Sequence, residues 1–190
     1  MYNKGPIKYF DRIKLIGKGG FAEIYLIKDR DSKELFAMKI INKTNMCPKE
    51  VSLLENEIKI LTSSNHPNII KLYQVMNDPN NKNYSYLILE YCNGGSLQNI
   101  LNQYMSKNNK PFSEQLVQKI MKKILFGVKY LHDKGIIHRD LKLDNILVKY
   151  KNDFDLQTQN LYNAEIKIID FNISYFPNLF GPISFVGTVP

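Results

Sequence analysis

The run His138-Arg139-Asp140-Leu141-Lys142-Leu143-Asp144-Asn145 and, further on, Asp170-Phe171-Asn172 set carboxylates, a carboxamide and a lysine in two short polar stretches beside apolar runs of strand length. Two carboxylates and a carboxamide oxygen delivered by loops at strand ends are suited to supplying hard oxygen ligands to Mg²⁺ while a hydroxyl is oriented. Asp140, Lys142 and Asn145 also stand at the spacing of a known catalytic loop. A merely solvated polar loop has no reason to keep that spacing.

Two weaker signals lie upstream. Gly17-Lys18-Gly19-Gly20-Phe21-Ala22-Glu23-Ile24 falls between two strand-like runs. Glycines there let a hairpin backbone lie close over a phosphate chain with amide N–H groups facing the anion, although an unliganded Gly-rich turn is the commoner case. The turn opens no helix, so the dinucleotide and Walker readings fail on context. Lys39 ends Phe36-Ala37-Met38-Lys39 among apolar neighbours. It reads either as an exposed edge or snorkelling lysine, or as a buried cation paired with Glu57, 18 residues on along a helical pattern.

The elements that must hold these residues fall into two textures. Phe10–Ile16, Glu23–Ile27 and Leu35–Ile41 read as strands of an antiparallel meander, and Ile69–Val75 and Tyr84–Tyr91 resume it. Between them a helix from Pro48 to about Thr62 aligns Val51, Leu54, Ile58 and Leu61 on one face. Beyond Gly94-Gly95 the pattern turns helical. Ser113 is a good N-cap, and Leu116, Ile120, Ile124, Val128 and Leu131 form a wide apolar face. Strands Ile146–Val148 and Ile166–Ile169 follow, separated by a polar stretch, Tyr150 to Glu165, expected to be a surface insertion.

Composition narrows the classes. With 190 residues, 44% hydrophobic and 23% charged, the chain is globular and large enough for one domain or two small lobes. No stretch approaches the roughly 18 apolar residues of a membrane-spanning helix, so no membrane span is expected and the chain is expected to be soluble. Its start has no apolar run or small-residue cleavage site of a secretion signal. The two cysteines, Cys47 and Cys92, lack metal-ligand spacing and point to a reducing setting, intracellular and cytoplasmic. The formal charge of +8 would attract polyanions, but the lysines are scattered and the only arginines are Arg12, Arg30 and Arg139, so nucleic acid is not expected as a partner.

Taken in order, the Gly-rich loop, Ala37-Met38-Lys39, Glu57, His66-Pro67-Asn68-Ile69-Ile70, the Glu90-Tyr91 hinge, the His-Arg-Asp loop, Asp-Phe-x and Gly187-Thr188 closely resemble the eukaryotic protein kinases, serine/threonine type. The resemblance implies an α+β fold of two lobes, a small antiparallel sheet with one helix and then an incomplete helical lobe. Residues 1–8 would be an N-terminal extension and 9–190 the kinase domain, with an N-lobe at 9–92, a hinge at 90–95, a partial C-lobe at 96–190 and the polar insertion at about 150–165.

The implied activity is ATP-dependent phosphorylation of serine or threonine hydroxyls on protein substrates, with Mg²⁺. By the same resemblance Gly17, Lys18, Gly19, Gly20, Phe21 and Ala22 would cover the ATP phosphates. Ile16 and Ile24 would contact the adenine, with Ala37 and Leu147 completing the nucleotide set. Lys39 would hold the α- and β-phosphates, positioned by Glu57. Leu89 would be the gatekeeper, the backbone of Glu90 and Cys92 would meet the adenine edge, and Ser96 the ribose. Asp170 and Asn145 would bind the metal ions, Asp140 would accept the substrate proton, and Lys142 would stabilise the transferring phosphoryl. Leu61, Leu72, His138 and Phe171 match the family's internal stack.

Ala22 replaces the third glycine of the family pattern, and Asn172 stands where the family has a glycine whose freedom at positive φ matters for switching between active and inactive arrangements; Asn tolerates that region, so a bias in switching with metal binding retained is expected. Arg139 would be a buried unpaired charge unless a phosphate on the following segment met it, with an upstream kinase acting on Ser184 rather than Ser174 or Tyr175. The chain ends before the family's Ala-Pro-Glu motif. The apolar face from Leu116 to Leu131 is therefore expected to be uncovered, leaving these residues poorly stable and nearly inactive, and the alternative is a truncated or pseudokinase product that binds nucleotide or a partner without catalysis.

Overall fold

The computed structural model describes residues 6–78 and 81–175, so Ser184, Gly187 and Thr188 lie outside the described residues. The chain divides into two compact units, Met1–Ile58 with Lys71–Tyr91, and Lys59–Ile70 with Cys92–Pro190.

In the first unit, β1 (Phe10–Lys18), β2 (Ala22–Asp29) and β3 (Leu35–Asn42) form the expected meander, followed by α1 (Pro48–Ser63), β4 (Leu72–Asn77) and β5 (Tyr84–Glu90). The five strands make one sheet in the order β1-β2-β3-β5-β4, with every neighbouring pair antiparallel. Strand periodicity places Phe10, Ile27, Met38, Tyr86 and Ile88 in one core cluster, and Phe36 packs edge-on against Phe10 and Tyr73. Helix α1 starts at a proline, whose missing N–H costs nothing there, and the N–H of the preceding Cys47 donates to Glu50 Oε2 at 2.7 Å, one half of a capping box. The division between units falls within α1, after Ile58.

The second unit carries β6 (Gly95–Ser96), α2 (Leu97–Asn108), α3 (Glu114–Asp133), β7 (Ile146–Lys149), α4 (Asp153–Thr158) and β8 (Glu165–Ile168). Its sheet runs β6-β7-β8, antiparallel throughout. Helix α3 begins at the expected cap, with Ser113 Oγ accepting from the Leu116 N–H at 3.3 Å.

A contiguous split at the hinge does not describe the second unit, because Lys59–Ile70 belongs to it. Asn68 Nδ2 donates to Ile166 O at 3.0 Å, the Ile168 N–H to Asn68 O at 2.9 Å, and the Ile70 N–H to Ile168 O at 3.0 Å. His66 stacks on Tyr130, whose hydroxyl accepts from the Asn65 N–H at 2.7 Å. The strand expected from Ile69 therefore begins only at Leu72, since Ile69 bridges to Ile168 instead.

Two further expectations change. Leu116, Ile120 and Leu131 are buried, so the apolar face of α3 is covered. The uncovered apolar side chains are Val117, Met121 and Leu125, four residues apart on a neighbouring stripe, with Phe126 beyond them. The polar stretch is no simple surface insertion. It contains α4, and buries Tyr150, Leu161, Ala164 and Asp155. The Asp155 carboxylate accepts from Asn152 Nδ2 and Asn160 Nδ2 at 2.9 and 3.1 Å, while Asn152 Oδ1 caps α4 through the Asp155 N–H. Those carboxamides satisfy a charge that burial would otherwise penalise. No helix among the described residues is long and apolar enough to cross a membrane.

Candidate active site

In the first unit, Gly17 and Lys18 still belong to β1, opposite Ile24 and Glu23 of β2, and Gly19 to Phe21 make the turn. The Gly19 N–H closes it on Ala22 O at 2.8 Å, and Phe21 O accepts from the Asn42 N–H at 2.9 Å, which ties the turn to β3. A Cβ at Gly20 would meet nothing within 4 Å. Packing therefore does not demand glycine there; what glycine supplies is bare backbone on the open side. Lys18 pairs with Glu23 at 3.2 Å, and Glu23 also accepts from the Tyr25 hydroxyl, so its carboxyl is held below the usual range first by Tyr25 and then by Lys18.

Lys39 sits in β3, a central strand, between Ile24 and Leu87, which removes the edge-strand reading. Its Nζ donates to both carboxylate oxygens of Glu57, at 2.6 and 2.8 Å. The side chains are only 15% and 4% exposed, so each charge depends on the other for its solvation. Ala37 is buried opposite Leu26 and Leu89, Ile16 is exposed, and the Glu90 N–H donates to Lys71 O. That last contact was not foreseen, and no spacing signals a backbone partner.

In the second unit a 3₁₀ turn, Leu143–Asn145, leads directly into β7 and places Asn145 beside Asp140. Asn145 Nδ2 donates to the backbone oxygen of Asp140 and to its Oδ2, both at 2.9 Å, and Lys142 Nζ lies 2.9 Å from the same Oδ2. The Ile169 N–H donates to Asn145 O at 3.0 Å, so the residue before Asp170 is anchored to the loop that carries Asp140.

His138 holds the next layer. Its Nδ1 lies 3.3 Å from the Asp140 N–H, which can only donate, so Nδ1 accepts and Nε2 carries the proton toward Ile169 O at 2.9 Å. Burial pushes the imidazole below its usual range, although the Ile169 carbonyl and the Asp170 and Asp140 charges oppose this, and a neutral ring fits both bonds. Its edge packs on Phe171, with ring centroids 5.0 Å apart.

The backbone is strained at two places beside the site, and the expectation of an unpaired Arg139 changes. Positive φ falls on Asp170 (66°) and Arg139 (68°), whereas Asn172 is not among the residues with positive φ. Asp tolerates the left-handed region through its short polar side chain, so the strain sits on the carboxylate residue itself. Arg139 is not unpaired: its Nε donates to Ile173 O and its guanidinium lies over the Tyr175 ring at 5.0 Å. Ser174, which the spacing did not single out as structural, is buried with its hydroxyl donating to His138 O at 3.1 Å.

Cys92 is a buried thiol, Leu147 pairs with Ser96 and Lys167 across the sheet, and Ser96 Oγ caps α2 by accepting from the Asn99 N–H at 3.2 Å. The cap uses one of the two lone pairs of Ser96 Oγ, which leaves its hydroxyl hydrogen and the other lone pair for a ribose contact. The donor set suits Mg²⁺. No cluster of three or more His, Cys, Asp or Glu exists among the described residues, and Mg²⁺ needs none, since it keeps waters and takes one or two protein oxygens together with phosphates. Asp170 offers a carboxylate, and Asn145, its Nδ2 spent on Asp140, offers its carboxamide oxygen.

Residues 10–189 match the family model described as the protein kinase domain. The chain is 35% identical over 173 residues to a probable serine/threonine-protein kinase of Dictyostelium discoideum, covering 86% of this chain and 21% of that protein. It is 37% identical over 163 residues to calcium-dependent protein kinase 4 of Plasmodium berghei, covering 85% and 28%, and 35% identical over 161 residues to serine/threonine-protein kinase 33 of Mus musculus, covering 85% and 30%. The chain thus spans less than a third of the length of each of these relatives. A family model that runs through the Gly-rich turn, the Lys39–Glu57 pair, the Asp140 loop and Asp170 accounts for all of them at once: the chain belongs to the protein kinase domain family.

Proposed function

We propose that the protein transfers the γ-phosphoryl group of ATP to serine or threonine hydroxyls of protein substrates. The observation that carries this is the Asp140 carboxylate, half-buried and held by Lys142 and Asn145 in a loop whose backbone is tied to the residue before Asp170. Phosphoryl transfer asks little covalent chemistry of a protein, so positioned charges supply most of the rate.

Asp140 orients the attacking hydroxyl and accepts its proton at a carboxylate oxygen. Lys142, already within 2.9 Å of that carboxylate, offers its ammonium to the charge that builds on the transferring group. Lys39, fixed by both oxygens of Glu57, holds the phosphates in register, and the bare backbone of Gly19 and Gly20 presents amides to them. Asp170 and the Asn145 carboxamide oxygen would hold Mg²⁺, which supplies charge neutralisation on the phosphate oxygens. Ile16, Ile24, Ala37, Leu89, Leu147 and the backbone of Glu90 and Cys92 would seat the base.

The paired Lys39 and Glu57 and the held Asp140 argue against the non-catalytic alternative. For regulation, Ser184 is the acceptor for an upstream kinase, supported by the burial of Ser174 and the commitment of its hydroxyl to His138. A cytoplasmic setting is supported by Cys47 and Cys92 being thiols and not halves of a disulfide.

The test measures thermal unfolding with and without Mg-ATP, and transfer of labelled phosphate to a generic basic protein. Mg-ATP raises the midpoint, and Asp170→Asn, which keeps a residue tolerant of positive φ, abolishes both the shift and the transfer. An unchanged midpoint at saturating nucleotide would falsify the proposal.

A further inference from the structure

The amino-terminal half of α3 and the segment after α4 together wall an open cavity of about 410 Å³, lined by Gln115, Gln118, Lys119, Lys122 and Tyr162. None of the residues proposed for catalysis lines it.

The side chains that line it are two glutamines, two lysines and a tyrosine, whose stems and ring give it more apolar than polar surface, with no carboxylate among them. Helical spacing puts Gln115, Gln118, Lys119 and Lys122 on one side of α3, away from the buried Leu116 and Ile120. Tyr162 is fixed from two directions: its hydroxyl lies 3.2 Å from Ser113 Oγ, and the Lys119 ammonium covers its ring at 4.9 Å. The surroundings reinforce the positive field. Lys123, on the same helix, donates to Ala164 O at 2.6 Å, and its ammonium is held below the usual lysine range by burial and by Lys119 and Lys151, with Glu165 opposing.

We infer that this cavity is a docking site for an acidic, Glu/Asp-rich peptide segment of a protein partner. Lysine ammoniums are point charges suited to single carboxylates, and the carboxamides of Gln115 and Gln118 each carry a donor and an acceptor that match a peptide backbone. A nucleic-acid strand fits less well. The site has no arginine fork for phosphates, and the one aromatic face is occupied by Lys119 rather than open to a stacking base.

The inference is independent of the proposed catalysis and is tested by binding alone. Fluorescence anisotropy with a labelled poly-glutamate peptide would be measured on the whole chain, at physiological salt, beside a labelled single-stranded DNA oligonucleotide. The double substitution Lys119→Glu with Lys122→Glu weakens poly-glutamate binding by about tenfold, since two exposed ion pairs become repulsions. A control with the same net charge, Lys107→Glu with Lys110→Glu, leaves it unchanged. Far-ultraviolet circular dichroism confirms that both variants fold, as all four lysines are exposed. Equal weakening in both double variants, no weakening in the first, or tighter binding of the oligonucleotide than of poly-glutamate overturns the inference.

Discussion

Asn145 Nδ2 stands 2.9 Å from both the backbone oxygen and the carboxylate Oδ2 of Asp140, so a single amide group holds the shape of the loop and the direction of its carboxylate. Asp140→Asn keeps the side-chain volume but removes the carboxylate proposed to accept the substrate proton. Steady-state kinetics should show kcat lower by about 10²–10⁴-fold with the KM for ATP nearly unchanged. Asn145→Ala should lower kcat as well and, unlike the first substitution, shift the activity toward higher Mg²⁺ concentration. A magnesium titration of both variants separates the two roles.

The Lys39–Glu57 pair makes stability and activity separable. Glu57→Ala strands an ammonium in the sheet and should cost about 3–5 kcal/mol in urea unfolding. Lys39→Met combined with Glu57→Leu removes both charges and should regain most of that stability while phosphate transfer stays absent. If the double variant were as unstable as Glu57→Ala, solvation of the pair would not be what the contact supplies.

His138 predicts an acid-side loss of stability. Burial lowers its pKa from the usual 6.5 in the folded protein. As pH falls below about 6.5 the unfolded chain takes up a proton that the native ring refuses, so stability is full above that pH and declines below it, until the lowered folded value is reached. His66, lowered by burial and by Lys167, acts in the same direction. Urea midpoints measured from about pH 8 to pH 5 should fall, and His138→Phe should flatten the slope without removing it. A slope identical in wild type and variant would contradict the neutral-ring assignment.

Gly127 sits inside α3, where alanine is favoured by about 1 kcal/mol on helix propensity. A Cβ there would stand 2.8 Å from Ile168 Cδ1 and 3.2 Å from both Cβ and O of Asn68. Ile168 can swing its terminal methyl aside, but the Asn68 backbone is held by the Ile168 N–H. Overpacking should therefore win, and Gly127→Ala should destabilise by about 1–3 kcal/mol in spite of the propensity gain. A raised melting temperature would show the helix–sheet contact to be softer than its distances imply.

The strands of the first unit were legible because their apolar runs are short, bounded by turns and rich in β-branched residues, as in Leu35–Asn42. Helix α3 was legible because its cap and apolar spacing agree. Helix α2 was not: Leu97 and Ile100 are its only buried residues, and the asparagines and glutamines around them give no strong face. Helix α4 is six residues long, too short to show an apolar face, and is held by local contacts of Asn152, Asp155 and Asn160 that a polar stretch does not announce. Among the candidate site residues, the pairing of Lys39 with Glu57 could be read from residue type and spacing. The left-handed backbone at Asp170 could not, because a pattern names a residue without its φ.

Asn68 donates to Ile166, 98 residues further along the chain. During synthesis at roughly 5–20 residues per second, Lys59–Ile70 therefore waits on the order of 5–20 s for the strand that will receive it. The sheet pairings of the first unit need nothing beyond Glu90 and can form in that interval, with the end of α1 and the residues that follow it up to β4 still without their partners. Ile69 and Ile70, both buried at the end, are bare until then. That interval is when a nascent chain of this protein is most open to a chaperone, or to a wrong neighbour.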